Sequence, residues 1–336
     1  MTDRTKKYFL DLFHSASLSG AVEAAAASLL APTLRGFDPW SELPVRLEPV
    51  LEDRQIRLGD ELTESICGEG RLVASESGFI AHIKQSRSPG RRRFSIAHEI
   101  AHTLFYKDSG GGQRHQVGAM TVAEHSSEEA ICNRVAGALL VPSKYVRGEL
   151  GKASVDDISA FLWLLDRVAA KLQVSVAALI ARLPHVQLPS RTLSLVTLQF
   201  STNRSTGEEE KLRVVFSHSL TYNPNSPTLW PNVSATTVRL APALRLFDLW
   251  AAEASTTSGT RAAGRFALDN SQDLLRVGKA TDIATFDARI VSWARTGRGW
   301  VTQPQQVVCA PVLYAPPNGA LRDARVVVAI RYSEQH

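Results

Sequence analysis

The 336-residue chain has no run of eighteen apolar residues, and its most apolar early stretch, residues 21–31, is interrupted by Glu23. This excludes a hydrophobic membrane-spanning helix and argues against a secretory leader. Cysteine is scarce. Cys67, Cys132 and Cys309 are odd in number, far apart and without a C-x-x-C pair, so a disulfide framework is excluded and a reducing cytoplasm is expected. No internal repeat or low-complexity tract is visible. The first half also lacks net charge: residues 1–189 hold 22 basic and 22 acidic side chains, whereas residues 190–336 hold 16 against 11, which is the whole excess of +5. Fourteen of those 16 are arginine, the side chain suited to bidentate phosphate or carboxylate contact. Nucleic acid is therefore a candidate ligand of the second half; the alternative is a mildly basic domain with no clustered patch.

What is present is ordinary globular material, 44% hydrophobic and 21% charged, about twice the usual span of one domain. Two domains are expected, residues 1–185 and 190–336, divided at a proline-flanked stretch. Periodicity predicts helices within residues 1–35, a small antiparallel sheet from strands at 71–74 and 79–83, and a helix over 94–106. A long loop to about Ser126 follows, then helices over 127–141, 155–172 and 176–183. Beyond 190, strands are expected at 193–200, 211–216, 306–314 and 324–332, with helices at 241–254 and 282–293. The fold class is α+β.

The chemistry centres on Ile96-Ala97-His98-Glu99-Ile100-Ala101-His102, which contains H-E-x-x-H. Histidines four apart lie on one face of a helix, so two imidazole nitrogens can meet one ion. Glu99, about 100° round the helix from His98, is set to act as a base on a water at that ion. Such a centre needs a third protein ligand. Glu129 shares a helical face with Asn133, which would stand behind the ligands as a hydrogen-bonding group. Glu128, Glu124 and His125 are the alternatives, because Ser126-x-x-Glu129 also has the capping-box form that would engage Glu129 at the helix start.

Other side chains have two readings each. Tyr106 and His115 follow the motif and could donate to the oxyanion of a tetrahedral intermediate, or simply pack. Arg91, Arg92 and Arg93 precede the expected helix start, where cations oppose the macrodipole; they form a solvated basic loop or meet an acidic partner. Cys132 reads as a small buried hydrophobe. Trp230, Trp250, Trp293 and Trp300 suit a core, with base stacking as the alternative.

Residues 93–102 ending in His98-Glu99-Ile100-Ala101-His102, followed by Glu129-Ala130-Ile131-Cys132-Asn133 and closing Leu139-Leu140-Val141-Pro142, resemble the ImmA/IrrE family of metallopeptidases. Many members carry Gly where this chain has Ala101. The resemblance implies a zincin-like N-terminal domain with zinc, or manganese, on His98, His102 and Glu129, and Glu99 as the base. It further implies a cytoplasmic endopeptidase that cleaves a helix-turn-helix repressor and so switches on a stress or defence operon. Helices within 154–183 resemble the helix-turn-helix-like segment of the radiation-response members. Residues 190–336 match their C-terminal GAF-like sensor in length and position. Two alternatives follow from the same residues: a protease gated by single-stranded DNA on the Arg-rich half, and a metal-stabilised DNA-binding regulator without hydrolysis.

Overall fold

The computed structural model describes residues 3–31, 43–59, 70–84, 89–108, 114–116, 121–153, 157–186, 188, 193–202, 209–219, 229–231, 275–277, 286–296, 299–315 and 325–332. Helices α1 (Arg4–Leu12), α2 (Leu18–Leu30) and α3 (Glu48–Asp53) lead into strands β1 (Ile56–Leu58), β2 (Gly70–Ser75) and β3 (Gly78–Ile83). Helix α4 (Pro89–His102), a 3₁₀ turn (Thr103–Phe105), the short hairpin β4 (Tyr106–Asp108) and β5 (Arg114–Gln116), and helix α5 (Val122–Leu140) follow. Next come α6 (Ser143–Leu150), α7 (Ile158–Leu172) and α8 (Val176–Arg182). Strands β6 (Leu193–Thr202), β7 (Glu209–Ser219), β8 (Leu229–Pro231), β9 (Leu275–Val277), β10 (Phe286–Thr296), β11 (Gly299–Ala315) and β12 (Arg325–Tyr332) complete the described chain. None of the described helices is long and apolar enough to cross a membrane.

The chain divides into two compact units, Met1–Tyr145 with Lys171–Val174, and Val146–Ala170 with Ser175–His336. In the first, α5 packs against α4, α2 and α1. Its buried face carries Ile131, Cys132, Val135, Ala136 and Leu139, while α4 buries Ala97, Ile100 and Ala101. Four of these eight side chains are Ala or Cys, and such small residues let two helix axes approach closely. Helix α1 pins the start of α5: the Thr5 hydroxyl donates to the Glu124 carbonyl at 3.4 Å, and the Ser127 hydroxyl donates to the Asp3 carboxylate. Phe105, fully buried just beyond α4, stacks on Phe9 of α1 at a centroid distance of 5.9 Å. Phe105→Ala is expected to cost about 3–5 kcal/mol, read as a lower urea midpoint, because the hole opens between the helix that ends at His102 and the one that holds α5.

Strand order is β1-β3-β2, with β1 parallel and β2 antiparallel to β3. The expected purely antiparallel sheet is thus mixed, because β1, absent from the sequence reading, adds on the far side. Gly78 opens β3 with φ +143°, and a Cβ there would lie 2.1 Å from the Gln55 carbonyl oxygen; only glycine fits a backbone approach so close. Helix α4 begins at Pro89, where a missing N–H costs nothing. Arg91, Arg92 and Arg93 therefore lie inside its first turns and do not form a loop before it. Arg93 is turned inward, donating to the Val45 carbonyl at 2.8 Å; burial lowers its pKa, partly countered by Glu48.

Helix α5 starts at Val122, five residues before the expected 127, and its capping box uses Thr121 and Glu124: Glu124 N–H donates to Thr121 Oγ1 at 3.2 Å, and Thr121 N–H to Glu124 Oε2 at 3.1 Å. Ser126 and His125 are consequently helical. Glu129 is free of the capping role that Ser126-x-x-Glu129 suggested, because Thr121-x-x-Glu124 satisfies the same pattern one turn earlier.

In the second unit, α7 and α8 bury Phe161, Leu162, Leu165, Leu179 and Ile180. A seven-stranded sheet has the order β7-β6-β12-β11-β10-β8, with β9 also on β11. Residues 286–293, expected as part of a helix, form strand β10 instead. Its eleven residues pair antiparallel with β11 from Phe286↔Cys309 to Thr296↔Gly299; its β-branched and aromatic residues, Ile290, Val291 and Trp293 among them, favour a strand. Trp293 stands opposite Trp230, and Trp300 opposite Arg295, in register. The helix expected at 241–254, with Trp250, lies outside the described residues.

Candidate metal centre

Helices α4 and α5 bring three donors together. His98 Nε2 and His102 Nε2 are 3.0 Å apart, His98 Nε2 lies 3.1 Å from Glu129 Oε2, and His102 Nε2 lies 3.3 Å from Glu129 Oε1. Four ligands placed tetrahedrally at 2.0–2.1 Å from zinc stand about 3.3 Å from one another. The closest approaches, with each histidine meeting a different oxygen of Glu129, are of that order, and two imidazoles with one carboxylate are a donor set able to hold such an ion. The sequence's two rules, i,i+4 on α4 and the face shared by Glu129 and Asn133 on α5, converge here because the helices pack closely enough for both faces to meet.

The alternatives for the third donor are engaged differently. Glu124 closes the α5 cap. His125 is 62% exposed, with Nε2 3.8 Å from Glu129 Oε1. Glu128 is fully buried, and its Oε1 meets the other nitrogen of His102, Nδ1, at 2.9 Å. Only His98, His102 and Glu129 bring one donor atom each within 4.8 Å of one another among the described residues.

The side chains of the cluster are electrostatically coupled. Burial alone would lower the pKa of His102, but hydrogen bonds with Cys132, Glu128 and Glu129 outweigh it and the imidazolium is favoured. The same hydrogen bond from His102, helped by both histidines' charge, holds Glu129 down at about 2. Burial lowers His98, with His102 adding to the effect. Cys132 is completely buried, as expected, and desolvation raises its thiol to about 11.

A cavity of about 630 Å³ opens over these residues, also lined by Gly70, Arg71, Phe94, Tyr106 and Asn133. Glu99 is 3% exposed, and desolvation raises its carboxyl to about 7. Tyr106, half-buried, is held above its ordinary pKa by burial and remains a hydroxyl donor at neutral pH. His115 pairs with Lys107 through the backbone, and its side chain lies outside the described residues. Gly70 and Arg71 escaped the sequence reading because they come from β2, far from H-E-x-x-H in the chain.

Gly70 leaves no room beside Glu99: a Cβ there would lie 2.6 Å from Glu99 Oε1. Gly70→Ala must push that carboxylate aside, and misplacing a catalytic group by about 1 Å can cost roughly 100-fold. The expected outcome is a fall in kcat of about that size with zinc content unchanged, checked by steady-state kinetics beside metal analysis.

Residues 60–184 match the family model of the IrrE N-terminal-like domain, peptidase family M78. A Mycobacterium tuberculosis transcriptional regulator of known structure is similar over 97% of this chain and 92% of that chain, at 13% identity and a TM-score of 0.41. No curated protein matches.

Proposed function

We propose, from the match of residues 60–184 to the IrrE N-terminal-like domain, that the chain is a cytoplasmic zinc endopeptidase that cuts a helix-turn-helix repressor. The carrying observation is the His98, His102 and Glu129 triangle beneath an open cavity that also holds Glu99. When bound, the ion supplies Lewis acidity to polarise the scissile carbonyl. Glu99, with a pKa of about 7, is matched to accept a proton from the attacking water and return it to the leaving amine. Tyr106 offers its hydroxyl to the developing oxyanion. β2, at the edge of its sheet and along the cavity wall, offers an extended peptide a backbone to lie against.

Regulation belongs, in this proposal, to residues 190–336. Their arginine excess favours a nucleic-acid trigger, single-stranded DNA in particular. The test mixes the purified full chain and zinc with the helix-turn-helix protein encoded beside its gene, with and without single-stranded DNA at low salt. A discrete cut that disappears with a chelator supports the endopeptidase, and a DNA requirement supports gating. An intact repressor under both conditions, with zinc bound, overturns the proposed substrate and favours the non-hydrolytic regulator.

A further inference from the structure

Glu128 has a side chain with no exposed surface, in a position where a polar group is costly unless it is hydrogen-bonded. Its Oε1 lies 2.9 Å from His102 Nδ1. The opposite nitrogen of the same ring, Nε2, points into the donor triangle, 3.0 Å from His98 Nε2 and 3.3 Å from Glu129. A neutral imidazole carries one N–H and one lone pair. An ion at Nε2 requires the neutral ring with its lone pair there, and that places the N–H on Nδ1, where the Glu128 oxygen accepts it. His98 differs: its Nδ1 is buried without a hydrogen-bond partner. The two histidines of the motif are therefore unequal, and only one has its ring held from behind by a carboxylate.

We propose that Glu128 is a positioning residue that fixes His102 as the Nδ1–H tautomer and aims its Nε2 at the divalent ion. This rests on the metal-centre reading above. Adjacent glutamates on one helix then divide the work: Glu129 faces the ion, and Glu128, rotated by about 100°, grips a histidine from the core side. Accepting a hydrogen bond from Nδ1 would also make that imidazole a stronger donor, the effect expected of carboxylate–histidine–metal arrangements.

The test measures zinc affinity of the full chain by competition with a chromophoric chelator, alongside unfolding of the metal-free protein and the visible spectrum of the cobalt-substituted form. Glu128→Gln keeps the shape and removes the charge; Glu128→Ala also removes the acceptor. Ile131→Val, which loosens α5 elsewhere, controls for packing. Expected are a 10- to 100-fold weaker affinity for Glu128→Ala, a smaller loss for Glu128→Gln, altered cobalt bands in both, and unchanged affinity for Ile131→Val. Wild-type affinity and cobalt spectrum in both Glu128 variants would overturn the proposal, as would an affinity loss that Ile131→Val reproduces at equal loss of stability. Failure of the wild-type chain to bind zinc would instead overturn the metal centre itself.

Discussion

Glu99→Gln is expected to lower peptide hydrolysis by 100- to 10,000-fold, the usual worth of a positioned general base, while zinc content stays at the wild-type level. Glutamine keeps the size of the side chain and cannot accept the proton. The metal-free protein supplies a second measurement. Burial raises the folded-state pKa of Glu99 from 4.5 to about 7, so between those values the folded state binds a proton that the unfolded chain has released. Stability associated with the neutral carboxyl is complete below pH 4.5 and is lost as pH rises through 7. Above that point the ionised group costs the metal-free fold on the order of 3 kcal/mol. Metal-free Glu99→Gln should therefore resist urea better than wild type at pH 8, with the gap closing toward pH 4.5. A variant equally active, or equally stable at both pH values, would remove Glu99 from the role of a buried base.

Strong local rules made the centre of the site legible. H-E-x-x-H places two imidazoles by helix geometry alone, and α4 forms because Ala97, Ile100 and Ala101 give it one apolar stripe to bury. Glu129 was narrowed to one of four donors by its face; choosing it required knowing where α5 begins. Two S/T-x-x-E patterns five residues apart competed for that start, and α1 weighed in through Thr5 and Asp3, contacts more than a hundred residues away in sequence. The cavity wall was illegible for a similar reason, since Gly70 reaches Glu99 only after β2 has paired with β3. In the second unit, Phe286, Ile290 and Trp293 have helical spacing, but they lie on a stretch that β11 captures along its whole length, and long-range pairing overrode the local signal.

Glu129→Ala separates ligand from scaffold. Glu129 is 39% exposed but pairs with the largely buried His98 and His102, so its loss should lower the metal-free protein's urea midpoint as well as remove a ligand. Zinc binding should weaken by more than the 10- to 100-fold expected when only an outer partner is lost. In wild type, zinc at 1,000 times its Kd stabilises the fold by about 4 kcal/mol; in Glu129→Ala at the same free zinc a 100-fold weaker site would leave only about 1.4 kcal/mol of that increment. Glu124→Ala gives the reverse pattern. It breaks the capping box with Thr121, costs on the order of 1 kcal/mol with or without metal, and leaves the zinc increment intact. If Glu124→Ala lost the increment and Glu129→Ala kept it, the third donor would have to come from the first turn of α5, some 7 Å up the helix axis at about 1.5 Å per residue, and the triangle of His98, His102 and Glu129 would not be the metal site.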